Sequence, residues 1–289
     1  MQLFSIDTGK FKLDGGAMFG VVPKSIWNKS NPADENNLCT WALRCLLVIE
    51  GDRKILIDTG MGNKQDAKFF SHYQPHDTIT LADALGKLNF SVAEITDVLL
   101  THLHFDHVGG AIQKDKEQYL PVFPNATYWI SAPQWNLALN PNKREKASFL
   151  SENILPIEAS RQLKLISIPL FVSKTQLQEI HFSENISCLV VNGHTQGMLL
   201  PKIKLKGETL VYMADLLPSV GHLPLPYVMG YDMQPLITLE EKDIFLKEAV
   251  KNNYTLFFEH DAVNECCSVQ LTEKGVRVNK TFKLAQLLS

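Results

Sequence analysis

Between Trp41 and Gly60 the apolar positions fall into two runs, WALRCLLVI and KILIDTG, separated by the short polar turn EGD. That pattern predicts a β-hairpin, and the scarcity of polar residues in both runs places it in a buried sheet. DVLLTH, ATYWI, KLISI and ISCLVVNG are short apolar runs of the same kind and read as further strands. KIKLKGETLVYMAD doubles back around Lys206-Gly207-Glu208, a second hairpin whose outgoing strand leads to Asp215. Helical spacing replaces alternation in DTITLADALGKLNFS, where Thr80 is a candidate N-cap, and in SAPQWNLAL, which opens on Ser131 with a proline close behind. TLEEKDIFLKEAVKNN carries its acidic residues early and lysines late, as the helix dipole favours, and precedes the strand YTLFFEHD. Residues 1–38 show neither period. Their Gly, Pro, Asn and Ser read as an N-terminal arm with a loop, whose Phe19 and Trp27 are expected to line a pocket or a dimer contact, or else to pack in the core. Strands and helices alternate through both halves without a linker or repeat, so the expectation is one α/β domain over residues 1–289.

Composition narrows the functions. An apolar fraction of 45% and a charged fraction of 20% suit a globular chain with a sizeable core. With 28 basic against 31 acidic residues and no Lys/Arg block, the electrostatic footprint of a nucleic-acid or anionic-membrane partner is missing. A small-molecule partner remains. Cys39, Cys45, Cys188, Cys266 and Cys267 form no CxxC pair and read as buried or free thiols in a reducing setting. The opening MQLFSIDTGKFKLDGG has no basic start followed by a continuous apolar core, and no apolar run approaches the ~18 residues of a membrane span. The expectation is a cytoplasmic protein.

The densest chemistry is THLHFDHVGG, Thr101 to Gly110, directly after the apolar run Val98-Leu99-Leu100. His102 and His104, two apart on an extended segment, face one point, and Asp106 and His107 face a second. Imidazole suits zinc and other first-row metals, and the carboxylate extends the choice to iron, manganese or cobalt. Three more ligand types follow predicted strands: His194 in NGHTQG, Asp215 in MAD and His260 in FEHD. Singly, each reads as a hydrogen-bonded surface residue or a turn cap; together with His-x-His-x-Asp-His they read as a metal site.

THLHFDHVGG, NGHTQG, MAD and FEHD resemble, in order and spacing, the metallo-β-lactamase-fold hydrolases, over residues 41 to 261. The resemblance implies a four-layer αββα sandwich with a two-metal site at one edge. It also implies that His102, His104 and His194 bind the first metal, that Asp106, His107 and His260 bind the second, and that Asp215 bridges them. Asp58 and Gly60 in LIDTG match a family position that supports the site without ligating. Within the superfamily, HLHFDHVGG and the late histidine are most similar to the N-acyl-homoserine lactonase and organophosphorus hydrolase branch. That branch has a tyrosine three residues after the bridging aspartate, and this chain has Pro218 there. His222, Tyr227 and Tyr231 are candidates for its role.

What the resemblance implies is hydrolysis of lactones or other esters by a hydroxide on two divalent ions, zinc above all, with phosphotriesters as secondary substrates, Asp106 passing a proton to the leaving group and His222 acting beside it. Segment 216–233, rich in Leu, Pro, Tyr and Met, is expected to wall the apolar part of the substrate. A homodimer fits the same reading. Two other classes stay open: a mononuclear iron dioxygenase acting on persulfides, which leaves Asp106, His107 and His260 without a metal, and a non-catalytic metal-binding module.

Overall fold

The computed structural model describes residues 1–169, 173 and 175–287. The chain forms two compact units, residues 1–10 with 43–168 and residues 11–42 with 169–289, so it changes unit inside its first two strands.

In the first unit a six-stranded sheet runs in the order β1 (Gln2–Asp14), β2 (Leu38–Glu50), β3 (Arg53–Ile57), β4 (Asp97–Leu99), β7 (Thr127–Ser131), β8 (Leu163–Ile166). β2 and β3 form the expected hairpin, with Glu50 opposite Arg53 and Gly51 supplying the left-handed turn residue at φ 59°. β3, β4, β7 and β8 are mutually parallel, which requires crossovers, and helices supply them. α4 (Leu81–Gly86), capped by Thr80, lies between β3 and β4; α6 (Ala132–Leu139), capped by Ser131, and α7 (Ser151–Ala159) lie between β7 and β8. Leu85, Trp135, Ile154 and Ile157 of these helices share one buried cluster with Leu47, Leu56, Val98, Tyr128 and Ile130 of the strands. Each such side chain stabilises by about 1.5–3 kcal/mol on burial, enough to hold the loops at the strand ends on a rigid frame. α3 (Ala67–Tyr73), the single turn α5 (Phe105–Val108) and the hairpin β5 (Ile112–Asp115) to β6 (Gln118–Pro121) complete this unit.

The second unit holds a seven-stranded sheet, β15 (Gly275–Phe282), β14 (Cys266–Thr272), β13 (Thr255–Phe257), β12 (Glu208–Tyr212), β11 (Met198–Leu205), β10 (Ile186–Val191), β9 (Gln178–His181). Neighbours are antiparallel except β12 and β13, which α8 (Pro235–Lys251) joins as a crossover. The hairpin at Lys206-Gly207 is present, both residues having positive φ (37° and 92°), as a two-residue turn between right-twisted strands demands. α9 (Leu284–Leu287) ends the described chain. All five cysteines are buried free thiols, and no helix among the described residues is long and apolar enough to cross a membrane.

The reading of residues 1–38 as an arm with a loop is corrected. Residues 2–14 are the strand β1, and their alternation was masked because Gly9 interrupts it at φ 132°, where any Cβ would lie 2.8 Å from the Cα of Thr78. After it, Asp14 accepts from the Ala17 N–H and starts α1 (Gly15–Phe19), followed by α2 (Lys24–Trp27). Phe19 and Trp27 are 0% and 1% exposed and stack at 5.4 Å. They are core residues of the second unit, which leaves them no surface for a dimer contact.

Candidate metal centre

Four of the residues singled out in the sequence occupy one kind of place. His102, His194, Asp215 and His260 each lie three residues beyond the last residue of a strand: Leu99 of β4, Val191 of β10, Tyr212 of β12 and Phe257 of β13. A strand end fixes the backbone, and three residues of loop suffice to turn a side chain off the sheet edge. All seven residues, His102, His104, Asp106, His107, His194, Asp215 and His260, are at most 8% exposed.

In the first unit the hub is Asp58, fully buried, in the left-handed region at φ 56°. Such a conformation costs a non-glycine residue on the order of 1–3 kcal/mol, and here it aims the carboxylate. Asp58 Oδ1 accepts from the Thr101 N–H and Oδ2 from the Thr101 hydroxyl, both at 2.7 Å, and Oδ2 also accepts from His107 Nδ1 at 3.1 Å. Asp58 thus touches His107 directly and His102 by way of Thr101. Since the Thr101 proton goes to Asp58, Thr101 Oγ1 is an acceptor toward His102 Nδ1 at 3.0 Å. His102 therefore carries its proton on Nδ1 and its lone pair on Nε2. His104 Nε2 stands 3.1 Å from Glu145 Oε1 and donates to it, which leaves the His104 lone pair on Nδ1. His102 Nε2 and His104 Nδ1 are 3.1 Å apart, so two lone pairs face each other. A cation between them is what that arrangement is suited to hold. Asp106 and His107 ride the first turn of α5, and His107 gives its Nδ1 proton to Asp58, keeping Nε2 as its lone-pair nitrogen.

The second unit repeats the device. His194 Nδ1 donates to Asp232 Oδ1 at 2.9 Å and His260 Nδ1 donates to the Ala42 carbonyl at 2.9 Å. Their Nε2 atoms lie 3.0 Å from Asp215 Oδ2 and 3.2 Å from Asp215 Oδ1, so each carboxylate oxygen serves a different histidine. Burial alone would lower the His194 pKa, but Asp215 and Asp232 outweigh it and raise it to about 10 in the metal-free chain. The loop carrying His194 is anchored by Glu241, which accepts from the Asn192 and Gly193 N–H groups at 2.7 and 2.9 Å. Gly193 itself has no alternative, because a Cβ there would meet Thr238 at 2.3 Å.

Five histidines thus have five orienting partners: Thr101, Glu145, Asp58, Asp232 and the Ala42 carbonyl. Sequence reasoning missed Glu145 and Asp232. Glu145 sits in NKREK, a run that reads as a solvated face, and nothing around Asp232 in GYDMQ marks it.

The expectation that His222 acts on a substrate gives way. His222 is 1% exposed, its Nδ1 pairs with Ser219 Oγ and its Nε2 with the Met18 carbonyl, both at 2.9 Å, and its ring stacks on Phe19 at 4.4 Å. Both nitrogens are spent, and burial pushes its pKa down to about 3, so it stays neutral. It is a packing residue. The apolar side chains of 216–233 are likewise largely internal, with Leu216, Leu217, Leu223 and Met229 at most 5% exposed. Tyr227 meets Phe19 edge-on at 6.4 Å, Tyr231 is exposed, and Pro218 is buried. A cavity of about 550 Å³ in the first unit, between Thr8, Leu43, Met61, Phe70 and Ile79, is lined by none of its four candidate ligands.

Residues 44–156 match the family model of the metallo-beta-lactamase superfamily. A solved probable metal-dependent hydrolase from Staphylococcus aureus is 26% identical, with 98% of this chain and 96% of that one covered at a TM-score of 0.86. AidC, a dizinc quorum-quenching lactonase solved with a product, N-hexanoyl-L-homoserine, is 23% identical over 97% of this chain and 94% of that one, at 0.77. The hydrolase AbOPH of the beta lactamase superfamily is 22% identical over 98% and 95%, also at 0.77. The α/β class and the fold inferred from the motifs are those of these structures.

Proposed function

We propose that this chain, whose residues 44–156 match the metallo-beta-lactamase superfamily model, is a dinuclear metal-dependent hydrolase of lactones or other esters, with phosphotriesters as secondary substrates. In this reading His102, His104 and His194 would hold one divalent ion, Asp106, His107 and His260 would hold a second, and Asp215 would be shared by the two. Zinc suits a ligand set of five imidazoles and two carboxylates. Two such ions, when bound, supply a water acidified toward neutral pH and an electrophile for the carbonyl oxygen.

The observation that supports this best is the facing pair His102 Nε2 and His104 Nδ1, both made acceptors by the partners on their other nitrogens. The division of the two Asp215 oxygens between His194 and His260 points the same way. The chain's own part is to hold the five imidazoles in place, each through the partner on its other nitrogen, before any ligand arrives, so that little reorganisation is left to the reaction. Asp106 takes a proton from the attacking water and returns it to the departing alkoxide. AidC, a structure with the same fold, is a lactonase solved with an open-chain product, which makes lactones the first substrates to try.

The test is elemental analysis of protein purified without chelator, then turnover on lactones, aryl esters, phosphotriesters, a thioester, a phosphodiester and a persulfide, each with and without metal. Metal-dependent turnover of the first three supports the reading. Iron alone at one per chain with persulfide oxidation would replace it by the dioxygenase, and metal-dependent turnover confined to the thioester or phosphodiester would overturn the substrate class.

A further inference from the structure

Glu241 and Lys242, one acidic and one basic, are consecutive residues of α8 and are 8% and 0% exposed. Neighbours in a helix point in different directions, so the two reach different loops. Glu241 holds the Asn192 and Gly193 N–H groups just ahead of His194. Lys242 Nζ lies 2.8, 3.2 and 2.9 Å from the carbonyl oxygens of Pro224, Leu225 and Tyr227, so all three ammonium protons go to one loop. Burying that charge is costly: desolvation draws its pKa down to about 7, although Asp232 pulls it up. Buried ionic groups can often be replaced by apolar side chains of similar volume without loss of stability, so an ammonium kept here calls for a use besides packing.

The gripped loop leads straight to Asp232. The Tyr227 N–H returns to the Pro224 carbonyl at 2.9 Å, the Met229 N–H donates to Asp232 Oδ2 at 3.2 Å, and the Asp232 N–H returns to the Met229 carbonyl at 3.3 Å. Asp232 Oδ1 then accepts from His194 Nδ1 at 2.9 Å. The next two N–H groups, of Met233 and Gln234, donate to the His194 and Gly193 carbonyls at 3.1 and 2.8 Å. Two loops meet at one histidine, and α8 holds both. We infer that Lys242 is a positioning residue for His194, fixing loop 224–227 so that Asp232 stands where it orients the imidazole toward a metal ion. The inference rests on the reading of His194 as a ligand.

The test is stepwise zinc affinity, read by competition with a chromogenic chelator on folded protein, in the parent, Lys242→Met, Asp232→Ala and the double variant. Lys242→Met keeps the length of the side chain and deletes the ammonium. It is expected to weaken one of the two zinc steps about 10-fold, the low end for groups that orient a metal-binding imidazole, and to leave the other step unchanged. In the Asp232→Ala background the same substitution should change nothing further, because residues that act through one partner are not additive. Should Lys242→Met not fold, Lys242→Arg goes through the same cycle: its planar guanidinium keeps the charge but does not present three protons at a point, and the same step should weaken. Unchanged affinity in the folded variant, equal loss at both steps, or a loss that adds to that of Asp232→Ala overturns the assignment of Lys242 while leaving the metal site in place. Failure of both Lys242 variants to fold assigns the residue to the fold alone and overturns it too. A parent that binds no zinc overturns the ligand reading of His194 as well.

Discussion

Glu145 Oε1 lies 3.1 Å from His104 Nε2, with the carboxylate side chain 1% exposed and its other oxygen accepting from Asn142 Nδ2 at 2.9 Å. This pair decides which nitrogen of His104 carries the lone pair, and so whether His104 and His102 converge on a cation. Groups that orient a metal-binding imidazole typically matter 10- to 100-fold for affinity. Glu145→Gln still accepts the proton but loses the charge, so about a 10-fold weaker metal affinity is expected, and Glu145→Ala should lose more. Competition against a chromogenic chelator measures it; equal affinity in both variants would remove Glu145 from the site.

Asp215→Ala deletes both oxygens that face His194 and His260. Because Asp215 is read as a ligand of both ions, turnover should drop by at least the roughly 100- to 1000-fold that loss of a single transition-state donor costs, whereas His72→Ala and His181→Ala, both at exposed positions, should leave it within about 2-fold because surface changes act weakly. Circular dichroism checks the fold in each. Comparable damage from His72→Ala in a folded protein would show the ligand assignment to be misplaced.

Two metal ions per chain are expected, and they should stabilise the fold by mass action. At a free metal concentration 100 times Kd the gain is about 2.7 kcal/mol per site. Stripping with chelator should therefore lower the melting temperature, and titrating zinc back should restore it with an end point at two equivalents. An end point at one equivalent argues against the second site.

Asp97 provides a pH-dependent stability contribution away from the centre. Although burial would raise its pKa, the bidentate Arg53 pair at 2.8 and 3.0 Å, the Thr96 hydroxyl and the Trp129 N–H together hold it below the ordinary value. The folded carboxylate is the stronger acid, so its contribution is complete above the unfolded pKa of about 3.9 and fades as pH falls through the lower folded value. Asp97→Asn should cost about 2 kcal/mol at pH 7, and the difference from the parent in urea unfolding should shrink below pH 4. A difference independent of pH would assign the effect to packing.

Gly110 tests how tightly the Asp58 segment is clamped. A Cβ there would stand 2.0 Å from the Thr59 carbonyl oxygen, while the Gly110 N–H bonds to the Gly60 carbonyl at 2.9 Å. Gly110→Ala must push that segment aside, at a cost of about 1–3 kcal/mol, and should weaken metal binding because Asp58 orients His107. Retention of parental stability and affinity together would show the segment to be loose.

Much of this protein was legible along the chain because its signals are local. An apolar run ends, a ligand-type residue follows three positions on, and neither fact needs a distant partner; the two hairpins, the caps at Thr80 and Ser131, and the strand-end places of His102, His194, Asp215 and His260 were readable for that reason. Glu145 and Asp232 were not, since an acidic residue in a charged loop looks solvated until the chain brings His104 or His194 within 3.1 Å of it. β1 was hidden because Gly9 breaks its alternation, and only pairing beside β2 makes it a strand. His222 was misread for the opposite reason: a histidine near a motif suggests chemistry, but the fold gives one nitrogen to Ser219 and the other to Met18, more than two hundred residues away. The sequence by itself determined which residues have lone pairs to offer. Tertiary structure decided which nitrogen of each histidine is turned to the site, because a tautomer is set by the hydrogen bond on the far side of the ring, and for His104, His107, His194 and His260 that partner is remote in sequence.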